Sequence, residues 1–564
     1  MRKIIFLLFF LPLFVYSQGI ERRIETELSI SVLQNDNNLI PFLSLDTLQI
    51  SYKGIGNDNG VFLSSMRRYT NVSEDFSSGN LLIIGVFEDN QEEYNKLIEK
   101  SGNVVICFFQ NNSFDNLNLD NENIIAVVDV GYSDSLAYDY CGQFLFGGFT
   151  SEGEGIRFKY TIPAEVGLDS AFIFHKVDSI ANFAVSSGAT PGCQVFVAVN
   201  QKVIFNKSYG YHTPDSLISV KNTDLYDLAS VTKVTASAAA LMKLSDENLI
   251  DVNQPFSTYW RPFKHSDKKE ISMLDVLCHQ GQLTAWIPFW KSALDEKGNL
   301  SSKYFSTVQT KKYSLQVTDN LFINRRYPKR IYREIKKSTL IGKKEYKYSD
   351  LSFYLYPKIV ENLTKIDFES FLKQNFYSKL GANSLCYNPL KYYSKDEIVP
   401  TEIDNFFRKQ LLQGYVHDEG SAMLGGISGH AGLFGNANDV AKVAQMYLNF
   451  GEYGAYKYLD SVTVRKWTSY QFKELGNRRG IVFDKPLLEH KEWGTPSPDA
   501  SESSFGHTGF TGIFVWADPE NGLLIVFLSN RVYPTRDNKL LMKYNIRTNI
   551  HQVFYDAFEK RNKN

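Results

Sequence analysis

Long apolar runs alternate with amphipathic segments in the first 165 residues. The segment 90–100 carries apolar residues at helical spacing, and 133–146 has the character of a second helix. Continuous apolar strands separated by helices are typical of a parallel sheet covered on both faces. We therefore predict an N-terminal α/β sandwich domain over residues 19–165. The strand-like runs are Leu81–Val86, Val104–Phe109 and Ile124–Val130.

The pattern changes after residue 168, where strand signals lie at both ends of the remaining chain. A helix predicted over 170–187 precedes two strand-like segments joined at Asn200-Gln201. A second strand pair flanks the turn 518–522, and a helix over 545–558 follows. This arrangement predicts a domain over 168–560 with one antiparallel sheet flanked by helices, plus a helical subdomain. The predicted fold class is thus α/β and α+β.

Residues 1–18 carry the pattern of an export signal. Arg2 and Lys3 precede an apolar run over 4–15, and 15–17 offers the spacing that a signal peptidase reads. A retained anchor is the alternative, but a bilayer-spanning helix needs about 18 or more apolar residues, and this run is shorter. We expect cleavage and a location in the periplasm or outside the cell.

Composition narrows the choice of partner. The chain has 564 residues, a formal net charge of -1, 43% hydrophobic and 22% charged residues. These values are typical of a folded protein and give no reason to expect nucleic acid as a partner. The basic stretch 325–347 is interpreted as solvated surface, while peripheral association with cell wall or membrane stays open. The oligomeric state also stays open.

Cysteine and histidine spacing predicts no metal site. The five scattered cysteines form no C-x-x-C pair and are interpreted as buried hydrophobes, with one disulfide as the alternative. His279, His417 and His430 fit no zinc motif and are interpreted as structural, although His430 lies in a Gly-rich loop that could border a cleft. No metal or organic cofactor is implied.

The strongest chemical signal is Ser230 followed three residues later by Lys233, at the start of a helix that runs to about Leu244. Residues three apart on a helix lie on one face, within contact. A serine hydroxyl is a poor nucleophile unless a neighbouring group takes its proton, and a desolvated lysine can contribute to that. The helix N-terminus adds a field that favours a developing oxyanion. Alone, this pair is a weak signal.

Two further motifs follow in chain order, Tyr348-Ser349-Asp350 and His507-Thr508-Gly509. The three elements together resemble the serine β-lactamase and D-alanyl-D-alanine peptidase superfamily, in the Tyr-dependent branch related to class C β-lactamases. The segment 277–283 resembles a stretch common in this family, with its glycine displaced by one residue, while 414–419 and 425–434 are similar to a subgroup in which this hydrolase follows a family 3 glycosidase.

The resemblance implies an acyl-enzyme mechanism without a cofactor. Ser230 would attack the acyl carbon, and Lys233 and Tyr348 would share the general-base work. The substrate would be a D-alanyl peptide of peptidoglycan, a related amide, or an ester, with β-lactams as inhibitors or slow substrates. The implied substrate-binding residues are Asp350, His507, Thr508, Gly509 and Phe510, with the backbone N–H groups of Ser230 and Phe510 as the oxyanion hole.

Two residues depart from the family pattern. Asp350 stands where Asn is common, and an ionised Asp only accepts hydrogen bonds. Beside Lys233 it would favour the charged lysine and weaken it as a base, so Tyr348 would carry more of the proton transfer. His507 stands where most β-lactamases have Lys, and a neutral His holds a carboxylate less firmly. Efficient β-lactam hydrolysis is therefore not expected.

The N-terminal unit resembles the C-terminal α/β sandwich domain of family 3 glycoside hydrolases. The resemblance rests on the segment 29–41 and on 143–148. The barrel that carries the nucleophile in that family would precede this point, so β-N-acetylhexosaminidase activity is the less favoured alternative. A non-catalytic cell-wall or penicillin-binding protein is the other alternative, which Asp350 leaves open.

Overall fold

A computed structural model describes residues 19–75, 79–109, 117–151, 153–489 and 494–563. The predicted export signal over 1–18 lies outside these residues. Within the described ranges, no helix has the length and apolar character needed to span a bilayer.

The N-terminal unit is built on a six-stranded sheet. Its order is β1-β6-β5-β4-β2-β3, and every pairing is parallel except β1 with β6. The antiparallel strand lies at an edge, where a mostly parallel sheet commonly accepts one. The strands are β1 Ile30–Asn35, β2 Ile50–Ile55, β3 Val72–Ser73, β4 Leu81–Val86, β5 Val104–Phe109 and β6 Ile124–Val130.

Helices cover both faces of this sheet, as its apolar runs predict. Tyr94 of the helix Gln91–Glu99 packs with Ile84 on one face, and Phe62 of Val61–Arg67 packs with Ile83 on the other. The helices of this unit are 19–28, Val61–Arg67, Gln91–Glu99 and Ser135–Leu145.

The second unit carries another six-stranded sheet, in the order β10-β11-β12-β8-β9-β7. Its strands are antiparallel apart from β7, which runs parallel to β9. Asn200 and Gln201 both have positive φ, as a tight turn between β8 and β9 requires. The strands are β7 Lys159–Tyr160, β8 Gly192–Val199, β9 Lys202–Gly210, β10 Phe505–Thr508, β11 Phe514–Asp518 and β12 Leu523–Ser529.

Both chain ends of the second unit meet on one face of its sheet. The helices Ser170–Ser186 and Ile546–Lys563 pack there against Val195, while Ala437–Leu448 packs against Phe196 on the other face. The predicted fold class is thereby confirmed. Further α-helices are Ala238–Asp246, Phe256–Tyr259, Met273–Leu277, Pro328–Lys337, Tyr356–Thr364, Phe368–Leu372, Ser378–Leu380, Glu419–Met423, Ser461–Thr468 and Leu540–Lys543.

Short strands complete the second unit. The segment before Tyr348 contains the helix Pro328–Lys337, with Ile331 and Ile335 buried, beside a three-stranded sheet. The short strands of the chain are Phe149–Thr150, Gly153–Glu154, Tyr226–Asp227, Phe305–Ser306, Leu315–Thr318, Leu321–Ile323, Cys386–Tyr387, Glu402–Asp404, Gln410–Leu412, Leu433–Gly435, Glu452–Tyr453 and Tyr456–Lys457.

The five cysteines are all buried and unpaired.

The two units contact each other through buried polar groups as well as apolar ones. The Tyr160 hydroxyl donates to Asn438 Oδ1 at 2.5 Å, and Asn438 Nδ2 donates to the Arg68 carbonyl at 2.9 Å. Buried Lys442 donates to the carbonyl oxygens of Gly381 and Tyr69 at 2.6 and 3.3 Å. Strand β7 belongs to the stretch that the sequence assigns to the first unit, yet it pairs with the sheet of the second.

Candidate active site

Ser230 follows a strained backbone turn. The Asp227 carboxylate accepts hydrogen bonds from the backbone N–H groups of Ala229, at 2.8 Å, and His417, at 2.6 Å. Ala229 has a φ of 44°, in the left-handed region that a side chain disfavours. The turn presents Ser230, which is partly exposed, at the head of the buried helical segment that follows.

Lys233 is the buried partner of Ser230. Its side chain is 0% exposed, and its Nζ lies 3.0 Å from Ser230 Oγ and 2.7 Å from Asp350 Oδ1. A π-helical turn over Lys233–Ser237 precedes the regular helix Ala238–Asp246. Nζ also donates to the His430 carbonyl at 3.4 Å, so His430 borders the site through its backbone.

Asp350 keeps Lys233 charged. Burial lowers the pKa of Lys233, but the Asp350 carboxylate and Tyr348 outweigh burial and raise the pKa above its usual value. The Asp350 carboxylate therefore favours the charged form of Lys233. An ammonium in this state donates to Ser230 Oγ and does not accept its proton.

Tyr348 contacts the same hydroxyl from the other side. Its oxygen lies 3.2 Å from Ser230 Oγ, and its ring centroid lies 5.0 Å from Lys233 Nζ. Burial raises the pKa of Tyr348, Lys233 lowers it, and Asp350 raises it, with a raised value as the result. The phenol thus has the right position to exchange a proton with Ser230, but it is ionised in only a small fraction at neutral pH.

His279 supports the ring of Tyr348. The two ring centroids are 4.3 Å apart, and His279 Nδ1 accepts the backbone N–H of Ser349 at 3.2 Å. Burial, together with the charges of Arg479 and Lys233, lowers the pKa of His279 well below its usual value. The imidazole is therefore neutral. The sequence interpretation left it outside the catalytic set, and it serves here as packing for Tyr348.

His507 lies on strand β10 and is also neutral. Burial lowers its pKa to about 3; Asp484 raises it, while Arg479 and Lys233 lower it. Its Nδ1 donates to the Thr508 carbonyl at 2.7 Å, which leaves Nε2 as a buried acceptor without a partner in the structure. Its ring centroid is 6.2 Å from that of Tyr348. The expected weak hold on a carboxylate follows from this neutrality.

The turn after Thr508 packs against the backbone that precedes Ser230. Thr511 Oγ1 donates to the Asp227 carbonyl at 2.8 Å. A Cβ at Gly509 would come within 2.8 Å of the Leu228 carbonyl, so this close approach requires glycine. Phe510 lies at the tip of the turn with its side chain 50% exposed. The structure thus brings the third motif next to the backbone that precedes Ser230.

One charged pair of the site has no motif in the sequence. Arg479 is fully buried and forms an ion pair with Asp484, and its Cζ lies 5.9 Å from the Tyr348 ring centroid. The Asp484 backbone exchanges hydrogen bonds with Gly506, at 2.8 and 3.0 Å, beside His507. Sequence reasoning missed this pair because neither residue belongs to a spacing pattern.

The first two motifs meet at the Ser230 hydroxyl, and the third packs against the backbone that precedes it. Ser230 Oγ contacts an ammonium and a phenol, with a carboxylate on the ammonium and a glycine turn packed against the helix start. This set is suited to nucleophilic acyl transfer, in which a base takes the serine proton and nearby donors stabilise an oxyanion. Among the described residues, no cluster of three or more His, Cys, Asp and Glu could hold a metal ion.

Comparison with known proteins agrees with this geometry. The Beta-lactamase family model matches residues 175–546. A Salmonella agona protein named "Putative D-alanyl-D-alanine carboxypeptidase" is 29% identical over 398 residues, covering 65% of this chain and 85% of that protein.

Two solved structures match the chain at low sequence identity. A penicillin-binding protein homologue from Caulobacter crescentus matches at a TM-score of 0.48 and 15% identity, over 68% of this chain and 97% of that one. D-amino acid amidase from Ochrobactrum anthropi matches at a TM-score of 0.46 and 12% identity, over 68% of this chain and 99% of that one. On the family match, the chain belongs to the β-lactamase family and is a serine hydrolase of that type.

Proposed function

We propose that this protein is an exported hydrolase that acts through an acyl-enzyme on Ser230, with D-alanyl peptides of peptidoglycan as the favoured substrates. The observation that carries the proposal is the contact of Ser230 Oγ with Lys233 at 3.0 Å and with Tyr348 at 3.2 Å. Related amides, esters and β-lactams fit the same chemistry. The proposal places the protein in the Tyr-dependent branch of the family.

Tyr348 is the proton acceptor in this mechanism, because Lys233 stays a cation beside Asp350. Ser230 Oγ bonds to the substrate carbonyl carbon while its proton passes to the phenolate oxygen of Tyr348. The phenol then returns this proton to the leaving nitrogen or oxygen as the bond to the carbonyl carbon breaks. Water attacks the ester in the same way, with Tyr348 again as base, and frees the acid and Ser230.

The remaining site residues act on charge and orientation. Lys233 stabilises the phenolate and the incipient alkoxide through its charge. The backbone N–H groups of Ser230 and Phe510 would bind the oxyanion, and His507, Thr508 and Gly509 would orient the substrate.

Substrate choice rests on two supports. The Salmonella agona relative is named as a D-alanyl-D-alanine carboxypeptidase and aligns over most of its length. The pattern of residues 1–18 would deliver the protein to the compartment that contains peptidoglycan. The N-terminal unit, whose sequence resembles the family 3 glycosidase C-terminal domain, would act as a docking or spacer domain in this function.

Intact-mass measurement tests the nucleophile. The mature protein is incubated with a penicillin and, separately, with a fluorophosphonate, and each gives one adduct that is absent in Ser230→Ala. Ser237→Ala is the matched control. Ser237 ends the π-helical turn that begins at Lys233, and its hydroxyl donates to the Gly429 carbonyl. Slow decay of the penicillin adduct would indicate a trapped acyl-enzyme, and fast decay a hydrolase.

Failure of both probes would favour the second candidate, a cell-wall binding protein that retains the pocket without turnover. Release of D-alanine from a D-Ala-D-Ala pentapeptide, compared with hydrolysis of a nitrophenyl ester, separates peptidase from esterase. A chromogenic N-acetylglucosaminide serves as the negative substrate, and its cleavage would contradict the proposal.

A further inference from the structure

Arg479 is a buried cation that the catalytic motifs do not include. Its side chain is 0% exposed, and the segment that carries it is fixed to the segment of His279. Asn477 Nδ2 donates to the Cys278 carbonyl at 3.1 Å, and the Val482 N–H donates to the Leu277 carbonyl at 3.1 Å. The guanidinium is therefore held in one place, at the ring of Tyr348.

The charge of Arg479 is only partly cancelled by its partner. Asp484 also pairs with Arg478 at 3.3 Å, so two guanidinium groups share one carboxylate. Arg479 Nε is buried without a hydrogen-bond partner in the structure. Because the three side chains sum to a charge of +1, this cluster presents a net positive charge to its surroundings.

Tyr348 lies between this cluster and the Lys233–Asp350 pair. The charge of Lys233 is opposed by Asp350 at 2.7 Å, whereas Arg479, which shares Asp484 with Arg478, lies 5.9 Å from the Tyr348 ring centroid. His507 is neutral and supplies no charge at this corner. The titratable and charged groups that face Tyr348 or Arg479 are Lys233, Cys278, His279, Tyr346, Asp350, Arg478, Asp484 and His507.

We propose that Arg479 is a positioning residue for acylation, whose fixed positive charge stabilises the phenolate of Tyr348 while Ser230 loses its proton. Arg479 supplies a positive charge near Tyr348, where the neutral His507 supplies none. The inference rests on the proposed role of Tyr348 as the base. Arg479 acts on acylation through the electrostatic energy of Tyr348.

The pH dependence of acylation tests this role. Arg479→Gln removes the charge. The rising limb of the acylation rate plotted against pH should therefore move to higher pH by about one unit, and below the limb the rate should fall about tenfold. Arg479→Lys keeps the charge and should restore most of the shift. The probe is p-nitrophenyl acetate, with the release of p-nitrophenolate followed before steady state.

A second buried arginine provides the control for lost stability. Arg408 pairs with Asp404 at 2.7 Å with both side chains 0% exposed, and it also donates to the Val416 and His417 carbonyls. Arg408→Gln should lower the unfolding temperature without moving the limb. If Arg479→Gln lowered the rate equally at all pH values, as a loss of folded protein would, the inference would be overturned.

Direct titration of Tyr348 separates this inference from the proposed function. The protein is labelled with ¹³Cζ tyrosine, and the Tyr348 resonance is assigned by its loss in Tyr348→Phe. The midpoint of this titration should rise in Arg479→Gln, even if no acyl-enzyme forms with any probe. An unchanged midpoint would overturn the inference, and the absence of a Ser230 adduct would overturn only the proposed function.

Discussion

Lys233 Nζ lies 2.7 Å from Asp350 Oδ1, and this contact decides which group can accept the proton of Ser230. A lysine with a raised pKa remains an ammonium over the working range of most hydrolases. The acceptor is then Tyr348, whose own pKa is raised by burial. The site should therefore acylate faster as the pH rises.

Asp350→Asn should move this dependence to lower pH. Without the carboxylate, burial lowers the pKa of Lys233, and the substitution also removes a negative charge beside the Tyr348 phenolate. We expect the rising limb to fall by about one unit and the acylation rate at neutral pH to increase several-fold. Stopped-flow measurement of the acylation rate from pH 5.5 to 10 gives both the position of the limb and the rate at neutral pH. A profile that superimposes on wild type would remove Asp350 from the mechanism.

Ala229→Gly should stabilise the protein. Ala229 occupies the left-handed region at φ 44°, which costs a non-glycine residue about 1–2 kcal/mol. Glycine removes this cost, but it loses more conformational entropy on folding, which offsets part of the gain. We expect a gain of about 0.5–1 kcal/mol in the free energy of unfolding. Urea denaturation of both proteins measures it. A loss of stability would mean that the Ala229 methyl group contributes more packing than strain.

His551 should contribute to acid sensitivity. Burial lowers its pKa to about 3, and its Nδ1 accepts the backbone N–H of Ser497 at 3.2 Å. Because the folded pKa lies below the unfolded value, its contribution to stability is complete above pH 6.5 and is lost as the pH falls towards 3. Within that window the loss is about 1.4 kcal/mol per pH unit.

His551→Gln keeps an acceptor for Ser497 and removes the titration. The variant should lose stability less steeply than wild type between pH 6.5 and 4, measured by urea unfolding at each pH. Parallel curves for the two proteins would show that His551 is not the group that takes up the proton.

Sequence reasoning reaches the motifs of the site because each motif is local. Ser230 and Lys233 share a helix face, and the resemblance to a known family adds the motifs of Tyr348 and His507 to this weak pair. The residues 351–355 that follow Asp350 form turns, and the helix Tyr356–Thr364 begins only after them. The roles of the individual side chains remain predictions, because position does not establish the proton path.

Long-range contacts are what the sequence conceals. Arg479 meets Tyr348 only because the segment 477–484 folds against 277–280, and no periodicity encodes that approach. His279 was interpreted as structural, and it does pack, but its partner is the ring of Tyr348. Strand β7 has only two residues, too few for an alternating pattern to indicate a strand.

The short strand β7 ties the folding of the two halves together. It is the edge of the hydrolase sheet, while the Tyr69 hydroxyl donates to the Phe158 carbonyl at 2.6 Å just before it. Removing the chain up to residue 165 would uncover β9 at Lys202 and Val203, where β7 pairs with it. The halves should thus melt as one cooperative unit, and the hydrolase should not survive excision as a free-standing enzyme.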